Sequence, residues 1–264
     1  MNTKIPAKIE WRIAPNTPPP LSAAVVHVWR MWLAQPADAI TALRQTLSAD
    51  ERERIARLRR PAARERFAIT RGLLRATLAY HLQISPAEIR FDYLPQGKPV
   101  LAHPATGVQF NLSHSREMIL CAVTHTRAVG IDGEFFRTIR EREKFAARFF
   151  SENERDWLAS VPDDEKPRVF FEIWTRKEAY LKACGDGVTR HLRGIDVRPA
   201  SADPSAIGQI ADRPGEAARW RVVSFIPAPD AVAALAIAGD TLPELHFWQW
   251  DDVSSPDVHK KIQR

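Results

Sequence analysis

The stretch Glu165-Lys-Pro-Arg-Val-Phe-Phe-Glu-Ile-Trp-Thr-Arg-Lys-Glu-Ala-Tyr-Leu-Lys-Ala183 predicts a long helix that ends at Gly185, because glycine readily adopts the left-handed conformation of a helix end. At about 100° per residue, its large apolar side chains form one broad arc. Lys177 and Glu178 fall inside that arc, where charges cost free energy unless they are paired or metal-bound. Two interpretations follow: an internal Lys–Glu ion pair that only shapes the core, or a carboxylate that serves a metal site.

The segments around this helix form two batches, and each batch combines helices with a mainly hairpin-connected sheet. This pattern indicates the α+β class rather than alternating βαβ units. A capping box at Ser48 and Glu51 and the segment Ser85-Pro-Ala-Glu88 each predict a helix start, and 94–100 predicts a turn. The predicted helices are 62–82, 141–149, 154–158 and 165–183, and the predicted strands are 23–33, 108–110, 118–123, 129–132, 195–197, 220–225, 232–237 and 245–250.

The composition is that of an ordinary globular protein. The chain has 264 residues, of which 45% are apolar and 27% charged, so disordered, collagen and coiled-coil classes are excluded. No apolar stretch approaches the roughly 18–20 residues of a membrane span, and the N-terminus has no apolar signal region. Cys121 and Cys184 lie far apart without a CxxC motif, which favours neither disulfides nor a thiolate metal site. We therefore expect a reduced, cytoplasmic protein.

The positive charge is concentrated in one segment. Residues 51–75 contain nine arginines and three glutamates, a surplus of six that equals the net charge of +6 of the whole chain. Such a surplus indicates a polyanionic partner, namely nucleic acid, an acidic protein or a phosphorylated cofactor. A solvated helix face is the alternative.

Carboxylates and phosphate-binding side chains are candidates for the chemistry. In Gly130-Ile-Asp132-Gly-Glu134, a strand places Asp132 and Glu134 on one face, where two carboxylates suit Mg²⁺, although surface acids remain the alternative. Phe110-Asn-Leu-Ser113-His114-Ser115 is polar, and no nucleophile–base pair is expected because neighbouring strand side chains diverge. His114 and a hydroxyl could instead bind a phosphate, or His114 is an ordinary loop histidine. The turn Gly97-Lys98-Pro99 could direct a lysine into the same cleft.

Five motifs taken together resemble the Sfp-type 4′-phosphopantetheinyl transferases. The stretch Arg66-Phe-x-x-x-Arg71-x-x-Leu-Arg75 is also similar to that family's basic helix, so the resemblance covers about residues 48–240. The five motifs, in chain order, are Gly97-Lys-Pro, Phe110-Asn-Leu-Ser-His-Ser, Gly130-Ile-Asp-Gly-Glu134, Arg148-Phe-Phe-Ser-Glu-Asn-Glu154 and Trp174-Thr-Arg-Lys-Glu-Ala-Tyr-Leu-Lys182.

The resemblance implies a reaction and an architecture. The family moves the 4′-phosphopantetheine group of coenzyme A onto a serine of an apo acyl or peptidyl carrier protein and releases adenosine 3′,5′-bisphosphate. Its members are α+β monomers with two similar pseudo-twofold halves, each with helices packed on a mainly antiparallel sheet. Coenzyme A and Mg²⁺ bind in the cleft between the halves. For this chain we therefore expect coenzyme A and a carrier protein as partners, and neither nucleic acid nor a membrane.

Motif positions assign roles by the same resemblance. Asp132, Glu134 and Glu178 would hold Mg²⁺ on the pyrophosphate, and Glu178 would also be the base for the carrier serine. The remaining residues would contact coenzyme A: Lys98, His114 and Lys182 its phosphates, Asn111 and Ser113 its nucleotide, and Arg66 and Arg71 its 3′-phosphate. The family usually has an apolar or acidic residue where this chain has Gly133, so we expect a water there and weaker metal binding.

The same considerations give domain boundaries and two competing functions. We expect an irregular arm at 1–20, a first half at 21–127, a second half with the metal site at 128–250, and a polar tail at 251–264. A metal-dependent nuclease could use the same carboxylates and basic surface. An arginine-rich nucleic-acid binder is disfavoured, because few aromatic residues accompany the basic helix and no recognition signature is present.

Overall fold

The computed structural model of the chain describes residues 9–185, 192–199 and 203–250. The predicted tail 251–264 lies outside these residues, as does 1–8 of the predicted arm. The described helices are α1 (Ala37–Gln45), α2 (Ala49–Arg57), α3 (Pro61–Leu82), α4 (Arg142–Phe149), α5 (Glu152–Ser160) and α6 (Lys166–Cys184). The strands are β1 (Arg12–Ile13), β2 (Val25–Trp32), β3 (Arg90–Tyr93), β4 (Pro99–His103), β5 (Val108–Ser115), β6 (Met118–His125), β7 (Val129–Phe135), β8 (Ile195–Asp196), β9 (Gln209–Ile210), β10 (Trp220–Phe225), β11 (Ala231–Ala238) and β12 (Glu244–Gln249). The predicted α+β class is confirmed.

A five-stranded sheet has the order β1-β12-β2-β6-β5. Strands β2, β6 and β5 are antiparallel neighbours, whereas β12 pairs parallel with β2 and β1 pairs parallel with β12. The predicted second half, 128–250, thus includes a strand that belongs to this sheet, and the predicted irregular arm includes β1. Helix α3 buries Leu73 against this sheet, in one core with Trp29 and Ile119.

A three-stranded antiparallel sheet has the order β10-β11-β7 and carries α6. Gly130 of β7 allows the close approach, because a Cβ atom there would lie 2.0 Å from Ala179 O and 2.4 Å from Ala183 N of α6. Phe170 and Tyr180 of α6 are fully buried in the core beside this sheet. The contact therefore fixes the last turns of α6 directly over β7.

A row of side-chain hydrogen bonds connects the two sheets. Alternate residues of β5 accept from alternate backbone N–H groups of β7: Asn111 Oδ1 from Ile131 at 2.9 Å, Ser113 Oγ from Gly133 at 3.3 Å, and Ser115 Oγ from Phe135 at 3.4 Å. Because side chains alternate between the two faces of a strand, these three side chains all point to the same face. The polar motif of β5 therefore sets the position of β7 and of the carboxylates that β7 carries.

The sequence-based boundaries differ from the structure in several places. Helix α1 was not predicted, since Pro36 precedes it and no side chain caps it. Ser85 begins only a short 3₁₀ helix, Pro86–Glu88, because β3 follows at once. The predicted turn 94–100 is the tip of the β3–β4 hairpin, whose flanking strands the prediction omitted. Among the described residues, no helix is long and apolar enough to cross a membrane.

Candidate active site

A cavity of about 450 Å³ opens between α3, the β3–β4 hairpin, β5 and the end of α6. Six of the predicted site residues line it: Arg71, Lys98, Asn111, His114, Glu178 and Lys182. The other four, Arg66, Ser113, Asp132 and Glu134, do not. Its further lining consists of Arg54, Phe67, Thr70, Leu74, Gln96, Gly97, Pro99, Leu112, Leu181 and Gly185.

One end of the site is a group of three carboxylates, Asp132 and Glu134 from β7 and Glu178 from α6. Burial raises the pKa of Glu178 to about 7, and the neighbouring charges of Asp132 and Glu134 add to the shift. Burial also raises the pKa of Asp132, against the opposing effect of Lys182. Asp132 Oδ2 and Glu178 Oε1 are both buried without a hydrogen-bond partner. Arg137 pairs with Glu134 at 2.8 Å and Lys182 with Asp132 at 2.6 Å, so three carboxylates face two cationic partners.

Two lysines of α6 have different environments. Lys182 Nζ lies 2.6 Å from Asp132 Oδ1 and 3.2 Å from Ser113 Oγ, at the edge of the cavity. Lys177 is fully buried and lies 2.8 Å from Glu154 of α5. The sequence allowed either an internal ion pair or a cavity-facing carboxylate at Lys177 and Glu178. The structure contains both features: Lys177 forms an internal ion pair, and Glu178 faces the cavity. The partner of Lys177 is Glu154 rather than its neighbour Glu178.

The donor set at the carboxylate group fits a hard divalent cation. Carboxylate oxygens are the ligands that Mg²⁺ prefers, and two of those present are buried and unpartnered. In the part of the chain that the structure describes, however, no three His, Cys, Asp or Glu side chains are placed so that they could hold a metal ion together. The Lys182 ammonium neutralises part of the charge of Asp132 instead.

Lys98 and the polar residues of β5 line the cavity in different ways. Lys98 Nζ donates to the carbonyls of Lys182 at 2.6 Å and Val129 at 3.3 Å, and burial lowers its pKa to about 8. A cation at the C-terminal end of a helix is favourable, so Lys98 fastens the hairpin to α6. Asn111 is buried, whereas His114 is exposed at the cavity wall.

The opposite end of the cavity is basic. Arg71 is 8% exposed, and its Nη1 is buried without a hydrogen-bond partner. Arg54 also lines this end and stacks on Phe67, with its guanidinium 5.1 Å from the ring centre. Arg54 is one of the nine arginines of residues 51–75, but the sequence analysis did not predict it as a site residue, because it belongs to no recognisable motif. Arg66 instead points outward, 42% exposed and 3.9 Å from Glu117, so the predicted Arg66–Arg71 pair does not meet at the cavity.

Gly133 does not face the carboxylates. A Cβ atom at this position would lie 2.7 Å from Leu120 Cδ1 and 3.4 Å from Ala233 Cβ, in the apolar core on the other face of β7. The expectation of a water beside the metal at Gly133 is therefore wrong, since adjacent strand residues point to opposite faces. The glycine makes room for Leu120 instead.

The cavity lining combines the carboxylate of Glu178 with the cationic side chains of Arg54, Arg71, Lys98 and Lys182. Cationic side chains of this kind are suited to binding phosphate groups. A family model described as the 4′-phosphopantetheinyl transferase superfamily matches residues 128–237. A second, described as the N-terminal domain of 4′-phosphopantetheinyl transferase, matches residues 30–126. The chain belongs to the 4′-phosphopantetheinyl transferase superfamily, and it is an enzyme of that type.

Individual relatives agree with this assignment. The chain is 41% identical over 216 residues to the 4′-phosphopantetheinyl transferase HetI of Nostoc sp. (strain PCC 7120). The matched region covers 81% of this chain and 88% of HetI. It is 30% identical over 152 residues to the 4′-phosphopantetheinyl transferase Sfp of Bacillus subtilis (strain 168). This matched region covers 58% of this chain and 66% of Sfp.

Proposed function

We propose that this enzyme transfers the 4′-phosphopantetheine group of coenzyme A to a serine of an apo acyl or peptidyl carrier protein and releases adenosine 3′,5′-bisphosphate. The observation that carries the proposal is the charge layout of one cavity, with Arg71 buried at one end and Glu178 at the other. Coenzyme A has matching chemistry, because it bears a 3′-phosphate on its nucleoside and a pyrophosphate further along.

The basic end would bind the nucleotide. Arg71 and Arg54 offer guanidinium groups to the 3′-phosphate, and the unpartnered Thr70 Oγ1 is a further donor or acceptor there. Asn111 and Ser113 of β5 would line the nucleotide site. Ser113 also donates a hydrogen bond to Asp132, so part of its contribution is to hold that carboxylate in place. We exclude Arg66 from this set because its side chain lies outside the cavity.

The carboxylate end would hold Mg²⁺ through Asp132, Glu134 and Glu178. The cation neutralises the pyrophosphate and makes its phosphorus a better electrophile. Ser115 and Ser113 keep Glu134 and Asp132 in place by donating hydrogen bonds of 2.7 and 2.9 Å. Lys182 and His114 would contact the phosphates, while Lys98 positions the hairpin against α6.

Glu178 is also the proposed base. A carboxylate whose pKa is raised toward 7 accepts a proton more readily than an ordinary glutamate does. The serine Oγ forms a new O–P bond to the phosphorus that bears pantetheine, the P–O bond to adenosine 3′,5′-bisphosphate breaks, and the serine proton passes to Glu178. Lys182, beside Asp132, would stabilise the negative charge that develops on the phosphoryl oxygens.

The proposal includes the architecture and setting that the resemblance implies. The two sheets would correspond to two similar pseudo-twofold halves, with the cavity in the cleft between them. Cys121 and Cys184 form no disulfide, and we propose the reducing cytoplasm as the setting of the enzyme. We propose that it works there as a monomer.

Intact-protein mass spectrometry tests the reaction. The purified chain is incubated with Mg²⁺, coenzyme A and a panel of apo fatty-acid, polyketide and nonribosomal-peptide carriers, with EDTA as control. We expect a phosphopantetheine-sized mass gain on at least one carrier that EDTA abolishes. A folded chain that modifies no carrier, and binds no coenzyme A by calorimetry, would contradict the proposal.

A further inference from the structure

Glu51 of α2 lies between two arginines of α3 and is almost completely buried, at 1% exposure. Its Oε2 accepts from Arg75 Nε at 2.7 Å and from the Ser48 backbone N–H at 3.0 Å. Its Oε1 lies 3.3 Å from Arg71 Nε, which is an ion-pair distance, although this oxygen accepts no hydrogen bond. One carboxylate therefore caps a helix through Oε2, accepts a hydrogen bond from Arg75 and forms an ion pair with Arg71.

The two arginines differ in what remains available for a ligand. Arg75 is 1% exposed, and its Nη1 donates to the carbonyls of Pro86 at 2.8 Å and Ile89 at 2.9 Å. Arg71 lines the cavity, and its Nη1 is buried without a partner. Of the two, Arg71 is thus the one that lines the cavity, and it has a buried donor atom without a partner.

The charges of this group favour an anion. Two guanidinium groups and one carboxylate leave one net positive charge, and it lies where water is largely excluded. Burial lowers the pKa of Arg71, while Tyr93 and Glu51 oppose that effect. Without Glu51, Arg71 and Arg75 would repel each other, and the Arg71 side chain would be held only by its hydrogen bond to Tyr93 at 3.3 Å and its ring contacts.

We infer that Glu51 is a positioning residue that holds the Arg71 guanidinium at the basic end of the cavity, where it binds the 3′-phosphate of coenzyme A. The inference rests on the proposed function, since it takes coenzyme A as the donor. It concerns a residue that touches no substrate and acts through Arg71.

Glu51→Gln isolates the charge of this residue. Glutamine at this position still accepts from the Ser48 N–H and preserves the capping box, so the helix start is retained. The probe pair is coenzyme A and dephospho-coenzyme A, which lacks only the 3′-phosphate, and binding is measured by calorimetry without metal. We expect Glu51→Gln to weaken binding of coenzyme A about tenfold and that of dephospho-coenzyme A less than about twofold.

Two further variants control for a purely structural effect. Ser48→Ala removes the capping hydroxyl but leaves the Glu51–Arg71 pair, so it should lower the melting temperature while keeping the preference for coenzyme A. If Glu51→Gln does not fold, Glu51→Asp replaces it: this variant keeps the charge but withdraws it from Arg71, and the preference should again fall. Equal weakening of both ligands, or an unchanged preference, would overturn the inference.

The outcomes for the unmodified enzyme separate this inference from the proposed function. If the chain binds neither ligand and modifies no carrier, the proposed function fails. If it transfers phosphopantetheine but binds both ligands equally, the transferase proposal stands and the role of Glu51 and Arg71 is rejected. A preference for coenzyme A that disappears in Glu51→Gln supports both.

Discussion

The two ends of the cavity differ in how their charges are compensated. At the basic end, Glu51 pairs with Arg71 and Arg75, and only one donor of Arg71 remains unpartnered. At the carboxylate end, Lys182 pairs with Asp132 and Arg137 pairs with Glu134, whereas Glu178 Oε1 is buried without a hydrogen-bond partner. The basic end thus has more cationic than anionic groups, whereas the carboxylate end has three acids and two cationic partners.

The difference follows from the elements that build each end. Glu51, Arg71 and Arg75 lie on α2 and α3, within one small unit of the chain, so their pairing needs no distant partner. Asp132 and Glu178 come from β7 and α6 and meet only because Gly130 lets these elements touch. The packing of α6 on β7 therefore holds these carboxylates close together despite their mutual repulsion, an arrangement typical of functional sites.

The largest effect is expected from Glu178→Gln, which removes one carboxylate of the cluster without changing its shape. Transfer should fall by about 10³-fold or more, because a metal ligand and the base are lost together. The measurement is the rate of carrier modification by mass spectrometry at saturating coenzyme A. Coenzyme A binding without metal should be retained, since the basic end is intact.

The matched control is Glu154→Gln, which breaks the buried pair with Lys177 on the opposite side of α6. This variant should lower the melting temperature, because it leaves a buried lysine unpaired, yet its folded fraction should transfer at a rate near that of the unmodified enzyme. Near-normal turnover by Glu178→Gln would contradict the assignment of this residue.

Gly130→Ala tests whether the carboxylate end depends on the contact between α6 and β7. The new Cβ would collide with the backbone of Ala179 and Ala183, so α6 must shift away from Asp132. We expect a loss of about 1–3 kcal/mol in the free energy of unfolding and a lower transfer rate. Thermal unfolding and the transfer assay measure the two effects.

Gly133→Ala is the control for Gly130→Ala, three residues along the same strand. Its nearest neighbour is the flexible end of the Leu120 side chain, which can move, rather than backbone. The effect on both stability and transfer should therefore be smaller. Equal effects at the two glycines would show that any added methyl group in β7 disturbs the site.

At the basic end, Arg71→Ala should weaken coenzyme A binding roughly ten- to hundredfold, because the buried donor to the 3′-phosphate is lost. The maximal rate should stay within about threefold, since the carboxylate end is unchanged. Arg66→Ala removes an arginine of the same helix that points outward and should leave the KM for coenzyme A unaltered. Similar KM values for the two variants would argue against a 3′-phosphate site at Arg71.

The same contrast explains what could be predicted from the sequence. Asp132 and Glu134 alternate on a strand, and Glu178 and Lys182 are one helical turn apart, so local periodicity placed each pair on one face. The α+β class also followed from the order of helices and strands. Gly133 was misjudged because the same periodicity, applied one residue further, places it on the opposite face.

The remaining features depend on contacts that local pattern does not encode. The pairing of β12 with β2 joins residues at opposite ends of the described chain. Arg54 and Arg66 have the same chemistry in the sequence, and only the packing of α2 on α3 decides which one reaches the cavity. Likewise Glu51 is recognisable as a helix cap, but its contact with Arg71 spans two helices.

The smallest expected effect concerns stability and pH without metal. The pKa of Glu178 in the folded protein, about 7, exceeds its ordinary value of 4.5, so the folded state binds this proton more tightly than the unfolded chain does. The stability that the proton contributes is complete below about pH 4.5 and is lost as the pH rises through 7. The melting temperature of the metal-free enzyme should therefore fall by a few degrees relative to Glu178→Gln between about pH 5 and 8.

Addition of Mg²⁺ should reverse this loss in the unmodified enzyme, because a ligand that binds only the folded state raises its stability. The same addition should change the melting temperature of Glu178→Gln much less, and neither pH nor Mg²⁺ should alter the difference between Arg71→Ala and the unmodified enzyme. If Mg²⁺ stabilises the unmodified enzyme and Glu178→Gln equally, Glu178 is not a ligand of the cation.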